Sequence, residues 1–367
     1  MSQSHRTKQL LIALLFVFFI AAPKPVQAAS QASLGVTPIQ STHQRDKEVS
    51  YFDLLVNASQ SAPLQVKLTN TTTKPITVNV HKTTATTSNS GIIDYTGQAN
   101  RTDPTLPAAI GKLMQGANRV VVPANGTTTY TATLTMPKAA IPGVLVGGLI
   151  FTPANQGGKA DKLGVVNQYQ YSVAVLARNR NQVLTPKLSV GQARAARLDA
   201  TNQISVTVRN QTAAFANHVQ AVSKITAPNG KTTTLRLADA QMAPNSQLRQ
   251  VKALGADVKA GTYRVQTTVY WEKAAKGQYA DGHGQHYRYR TEATKQVRVT
   301  AAKAKALTRA TPAHKAGLPT SYKWAIAIAV LVVLGLIGLS VWFWRRKQKA
   351  TKHVAALEEE LSRLKHQ

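Results

Sequence analysis

Cysteine is absent from all 367 residues. This excludes disulfide staples, a thiol nucleophile and zinc sites built on thiolates. Acids are scarce too, with 15 Asp and Glu against 45 Lys and Arg. In the central part of the chain they stand singly, so no paired carboxylates suggest acid–base catalysis. Aromatic residues make up only 6%, and helical periodicity is rare outside the two ends. An extracytoplasmic chain of this size that avoids cysteine altogether fits a bacterial envelope without a dedicated oxidation system, most simply a Gram-positive one.

That the chain leaves the cytoplasm follows from two apolar runs. Arg6 and Lys8 precede the uncharged run Leu10–Ala22, and Val26-Gln27-Ala28 offers small residues for cleavage, which predicts a signal peptide over 1–28. Near the other end, Trp324–Trp344 is 21 residues without a charge, long enough to cross a bilayer as a helix. Trp324, Trp342 and Trp344 mark its ends, and Arg345-Arg346-Lys347 follows, as expected on the cytoplasmic side. The expectation is a type I plasma-membrane protein with a span over 323–344 and a basic cytoplasmic tail over 345–367. Leu318-Pro319-Thr320-Ser321-Tyr322 has the start of a sortase signal. Ser321 and Tyr322 replace the Thr and Gly that cleavage requires, so the helix reads as a permanent anchor.

The net charge of +30 favours anionic partners. Residues 29–165 carry 11 basic and 6 acidic groups, and 166–300 carry 19 and 6. Outside a membrane, teichoic acids, other wall polymers or sulfated glycans are better candidates than nucleic acid. An equally good reading is that the charge only holds the domain close to an anionic wall, without specific recognition.

Period-2 alternation dominates the centre. Leu64, Val66 and Leu68 alternate with polar residues, as do Ile76, Val78 and Val80, and a turn-rich segment Asn70–Pro75 separates them; the pattern predicts a hairpin. Arg119–Val122 and Thr127–Met136, joined through Pro123-Ala124-Asn125-Gly126, predict another. Strands also fit Leu34–Ile39, Tyr51–Asn57 and Val144–Phe151, and Pro104–Met114 has room for a short helix. A second set opens at Tyr169, Tyr171, Val173 and Val175. It continues through Ile204–Arg209, Val219–Thr226, Thr232–Leu237, Gly261–Trp271 and Ala293–Val299. The fold class is all-β: two tandem immunoglobulin-like β-sandwich domains followed by a single transmembrane helix. The expected bounds are 29–153, a linker over 154–165, a second domain over 166–300 and a basic, extended stalk over 301–322.

No motif demands catalysis, a metal or a cofactor. His283 and His286 with Asp281 sit in a Gly-rich loop, where a solvated turn is the simpler reading. Tyr287, Arg288, Tyr289 and Arg290 alternate; the pattern suits stacking on sugars and equally a strand with tyrosines facing the core. Val354, Leu357, Leu361 and Leu364 in the tail have helical spacing, too short to be stable alone.

Several segments together resemble the WxL-interacting protein family. In the first domain they are Tyr51-Phe52-Asp53-Leu54, Val66–Thr72, Ile92-Ile93-Asp94-Tyr95, and Met136-Pro137 followed by Gly143–Gly148. In the second they are Asn210–Phe215, Met242–Ser246 and Gly261-Thr262-Tyr263. The resemblance implies a peptidoglycan-associated first domain, and a second domain associated with host surfaces and with proteins bearing the WxL wall-binding domain. It brings no catalytic or ligand-binding residues. The leading expectation is a membrane-anchored, non-enzymatic adhesin or scaffold that binds peptidoglycan or anionic wall glycopolymer and WxL-domain proteins, with host extracellular matrix as a further partner. The alternatives are a cell-wall-modifying enzyme, disfavoured by the sparse acids, and an envelope sensor, for which the 23-residue tail leaves no room for an output domain.

Overall fold

The structure, a computed structural model, describes residues 34–99, 101–154, 169–198, 201–255, 257–309, 328 and 331–345. The expected signal peptide, nearly all of the 154–165 linker, the sortase-like segment and the tail beyond Arg345 lie outside these residues. Residues up to Thr311 form one compact unit and Pro312–Gln367 a second. Among the described residues no helix is both long and apolar enough to cross a membrane. The expected span falls only partly within them, and there 331–345 are helical.

The first sandwich is built from β1 (Leu34–Ile39), β2 (Phe52–Leu55), β3 (Ser61–Asn70), β4 (Ile76–Thr84), β5 (Thr86–Thr87), β6 (Ile93–Asp94), α1 (Ile110–Leu113), β7 (Met114–Gly116), β8 (Arg119–Val122), β9 (Thr127–Thr135), β10 (Leu145–Pro153) and β11 (Tyr171–Arg178). One sheet runs β1-β3-β9-β7, the facing sheet β2-β11-β10-β4-β8, and β5 pairs with β6 apart from both. Alternation places Leu64, Val66, Leu68, Tyr130 and Leu134 of the first sheet against Phe52, Val78, Val80, Phe151 and Val175 of the second. The rings of Tyr130 and Phe151 meet edge to face at 5.5 Å. The short helix expected within Pro104–Met114 is α1.

Two predicted hairpins are corrected by this topology. β3 and β4 lie in different sheets, as do β8 and β9. Each polar turn is an arch that carries the chain across the core. A strand alternating toward the core, a turn, and a second such strand read alike in sequence whether the chain folds back beside itself or crosses over. The strand at Tyr171 is also reassigned. Read as opening the second domain, it pairs antiparallel with β10 from Leu145↔Ala177 to Phe151↔Tyr171 and completes the first sandwich.

The second sandwich comprises β12 (Leu188–Leu198), β13 (Thr201–Asn210), β14 (Ala216–Thr226), β15 (Thr232–Met242), β16 (Gln247–Ala253), β17 (Gly261–Lys273), β18 (Tyr279–Ala280), β19 (His286–Val299) and α2 (Ala301–Arg309). Its sheets run β12-β13-β16 and β15-β14-β17-β19-β18. Here the Pro228-Asn229-Gly230 turn does make a hairpin, with Thr226 opposite Thr232. The start of the expected extended stalk is helical instead. Ala304 and Leu307, one turn apart on α2, are buried against the core of the sandwich, and the Leu307 carbonyl accepts from Asn202 Nδ2 at 3.0 Å.

Both sandwiches contain the same crossing. Asn70, 1% exposed, donates from Nδ2 to the Lys74 and Pro123 carbonyls at 2.8 and 2.9 Å, and its Oδ1 accepts from Thr72 N at 2.8 Å. Asn210, fully buried, donates to the Ala214 and Ala243 carbonyls at 2.7 and 3.0 Å and accepts from Thr212 N at 3.2 Å. In each copy a second asparagine closes the companion turn: Asn125 N donates to Thr72 O at 2.8 Å, and Asn245 N to Thr212 O at 3.0 Å. Both adopt positive φ, +48° and +45°, a region asparagine tolerates better than most residues.

Replacing Asn70 or Asn210 by Ala leaves at least two main-chain carbonyls without the buried amide that serves them. The expected cost is about 2–4 kcal/mol at either site, read as a lower urea midpoint by circular dichroism. A change below about 0.5 kcal/mol, the usual size for a surface substitution, would show that the crossing does not depend on the asparagine.

Candidate functional site

A sandwich has two outer faces, and in the first domain one of them is covered. Val146 of β10 and Leu176 of β11 point away from the first core. They pack with Val144, Ala85 and Ala243, against partly buried Ile93, Tyr95 and Phe215. Ala243 and Phe215 belong to the second sandwich's crossing, so that corner is seated on the first domain.

Polar contacts surround this apolar seat. Asp103, 1% exposed, receives Arg209 Nε and Nη2 at 2.6 and 2.8 Å, and Gln247 Nε2 at 3.2 Å. Asn245 Nδ2 donates to Thr105 Oγ1 at 2.9 Å. Thr87 Oγ1 lies 2.5 Å from Ser246 Oγ and accepts from Ala243 N at 3.0 Å. Burial by itself would raise the Asp103 carboxyl, but bonds from Arg209, Thr105 and Gln247 outweigh it and hold the group below the usual carboxylate range. Gly143 makes the closest approach. At φ +78° its hypothetical Cβ would stand 2.0 Å from the Ala213 carbonyl oxygen, so a side chain there would push the corner off its seat. The two sandwiches are thereby clasped into one body.

The other outer face of the first domain is open and has an unusual composition. Thr127, Thr129, Thr131, Thr133 and Thr135 all point outward from β9 and are exposed. On β3, Thr69, Lys67, Gln65, Pro63 and Ser61 stand opposite them in that order. Thr37 of β1 pairs with Lys67, and Gln115 of β7 with Thr133. Successive outward residues on a strand are about 6.8 Å apart and neighbouring strands about 4.8 Å, so the hydroxyls form a flat lattice. Each hydroxyl both donates and accepts, with a methyl beside it. Lys67 is the one charge in these rows. Such a surface matches the alternating hydroxyl, amide and C–H surface of an uncharged glycan.

In the second domain, the Tyr/Arg run of β19 serves the fold. Tyr289 stacks on Trp271 at 5.5 Å, and the buried Tyr287 hydroxyl donates to Gln220 Oε1 at 3.2 Å. Arg290 sits 5.9 Å over the Tyr270 ring and pairs with Glu292. In the His-containing loop, Asp281 Oδ1 accepts from the His283 and Gln285 amides at 2.8 and 2.9 Å. Its Oδ2 accepts from Gln220 and Arg236 at 2.5 and 2.9 Å. The carboxylate thus closes its own turn, and His286 Nδ1 bonds the Gly277 carbonyl at 2.8 Å. No group of His, Asp and Glu arranged to hold a metal occurs among the described residues.

Neither the clasp nor the threonine face was reached from sequence. The clasp joins residues 106 positions apart, which no local pattern reveals. The face was available in principle, since Thr127–Thr135 has threonine at every odd position. That alternation marks a strand, but the strand alone does not say that its neighbours extend the hydroxyl surface.

Two family models match the chain in succession: "WxL Interacting Protein, peptidoglycan binding domain" over residues 35–153, and "WxL Interacting Protein, host binding domain" over 160–309. The second match opens before β11, which is paired into the first sandwich. No curated protein matches. Among solved structures, the E. coli chaperone DraB is 12% identical, with 71% of this chain and 98% of that chain covered at a TM-score of 0.26. The Pseudomonas aeruginosa CupB2 chaperone is also 12% identical, with 66% and 96% covered at 0.24.

The clasp has a pH signature. A carboxyl held below its unfolded value stabilises the fold above about pH 4, and that contribution disappears as pH falls through the lowered folded value. Asp103→Asn is expected to destabilise the protein at pH 7 by about 3 kcal/mol and to flatten the acid limb of stability below pH ~4. Thermal melts from neutral pH down to about pH 2 measure both; wild-type and variant curves that run parallel across that range would contradict this role.

Proposed function

The chain belongs to the WxL-interacting protein family, and from that premise we propose that it is a non-enzymatic surface protein of a Gram-positive cell, holding peptidoglycan through the threonine face of its first sandwich. The observation that carries this reading is the exposed hydroxyl lattice on β9, β3 and their neighbours, in the domain matched to peptidoglycan binding. The opposite face of that sandwich is occupied by the clasp, which leaves the threonine face for the polymer. Neutral hydroxyls suit a glycan strand, whose recognition rests on many modest hydrogen bonds and C–H contacts over a flat area.

The second sandwich then takes the protein partner or host surface, with WxL-domain proteins as the expected partners. Two immunoglobulin-like domains fixed to each other present their ligands at a set angle, and two linked weak contacts gain from effective concentration. Anchoring is part of the same proposal. The 21 uncharged residues from Trp324 to Trp344 support it, as does the exposure of Leu331, Leu334, Leu336 and Trp344, each more than half open on the helical segment 331–345. Apolar side chains displayed in this way call for a hydrocarbon surrounding.

The test is cosedimentation of the full-length chain, in detergent, with purified peptidoglycan. Wild type is expected in the pellet. Thr129→Val, Thr131→Val and Thr133→Val together remove three hydroxyls while keeping shape and strand preference, and affinity is expected to fall about ten-fold or more. A wild-type chain that stays in the supernatant would overturn the reading.

A further inference from the structure

The register of the second sandwich brings together three cations that sequence keeps far apart. On the outward face of its five-stranded sheet, Lys224 of β14 stands opposite Gln266 of β17. Two residues along β17 is Arg264, opposite Gln296 of β19, and two residues along β19 is Arg298. Lys224, Arg264 and Arg298 therefore lie on one diagonal across adjacent strands, each step about 7–8 Å. All three are exposed, and no acid pairs with any of them among the described residues. Glu292, on the same face, is engaged by Arg290 and by Gln266 Nε2 at 2.7 Å.

Like charges this close, within about one Debye length of about 8 Å, repel each other and cost stability. Two other cations of this face are treated differently: Arg236 is tied to Asp281 and Arg290 to Glu292. The unpaired diagonal lies away from that end, with Thr226, Thr262 and Gln296 beside it. Its charge is complementary to an anion that repeats at regular intervals. Two of the three groups are guanidinium forks, which match phosphate oxygens, and the flanking hydroxyls and amide suit a polyol.

We propose that the Lys224–Arg264–Arg298 diagonal is a binding site for a phosphodiester-linked polyol polymer of the cell's own envelope. The choice of the cell's own polymer rests on the anchoring proposed above, since a chain held in a cell's membrane stands among that cell's own envelope polymers. The site is distinct from the threonine face and from the clasp. It gives the second sandwich a ligand in addition to any protein partner.

The experiment uses the full-length chain in micelles of an uncharged detergent, with poly(glycerol phosphate), heparin and neutral dextran as probes over a range of salt. Wild type is expected to bind the phosphate polymer above heparin, and dextran not at all. Lys224→Gln/Arg264→Gln/Arg298→Gln is expected to weaken that binding at least about ten-fold at about 0.15 M salt and to reduce the slope of log affinity against log salt by about 2. A control that removes the same charge elsewhere, Lys47→Gln/Lys138→Gln/Lys187→Gln, should change affinity less than about two-fold, the small effect of exposed charges outside a contact. Equal losses in the two triple variants, no loss in the first, no binding by wild type, or a preference for heparin would each overturn the proposal. Binding to polymer-free peptidoglycan is measured on the same preparations and is expected to be unchanged in the first variant. Its absence from wild type would instead count against the wall-binding reading, so the two failures are separable.

Discussion

The Asn210 amide donates to the Ala214 and Ala243 carbonyls, while its backbone N–H donates to Ser246 O at 2.9 Å. Those bonds fix two turns at once, the crossing at 210–216 and the companion turn at 243–246. The second turn supplies Ala243, Asn245 and Ser246 to the first domain, so one buried side chain sets both the fold of the second sandwich and its docking. Asn70 makes the equivalent bonds in the first sandwich, where the companion turn at Pro123–Gly126 is not at the clasp. The same local device is used once for folding alone and once for folding plus assembly.

The distribution of polarity over the faces follows from that docking. Outward residues of β10 and β11 that meet the second domain include the apolar Val146, Ala174 and Leu176. The facing sheet carries hydroxyls, and residues 166–300 carry more excess positive charge than residues 29–165. A neutral, hydrogen-bonding face and a cationic one thus sit on a clasped pair of domains. The buried acids Asp53, Asp103 and Asp281 are structural. Asp53 lies between Arg45 and Arg178 at 2.7 and 2.8 Å, Asp103 holds Arg209, and Asp281 closes a loop and holds Arg236. The buried acids thus neutralise arginines at junctions.

Period-2 alternation predicted the bounds of β1 and β8 correctly and gave most of β3, β4, β9, β13, β14 and β17, because one buried and one wet face impose that pattern wherever a strand pairs. The resemblance in short segments identified the family, and several of the quoted residues belong to the corners described above: Asn70 to Thr72, Asn210 to Phe215, and Met242 to Ser246. These segments are distinctive because corner geometry demands particular residues, whereas alternating strands accept many.

Sequence by itself therefore determined the all-β class, the existence of two β domains, the family and the apolar segments at either end, since each is written in local composition or periodicity. Only the tertiary structure decided that two expected hairpins are arches, that β11 completes the first sandwich, that α2 packs on the second, and that Asp103 meets Arg209. Sheet partners are chosen by long-range complementarity between faces that look alike in one dimension. A threonine lattice or a diagonal of cations exists only once register has placed residues from separate strands side by side.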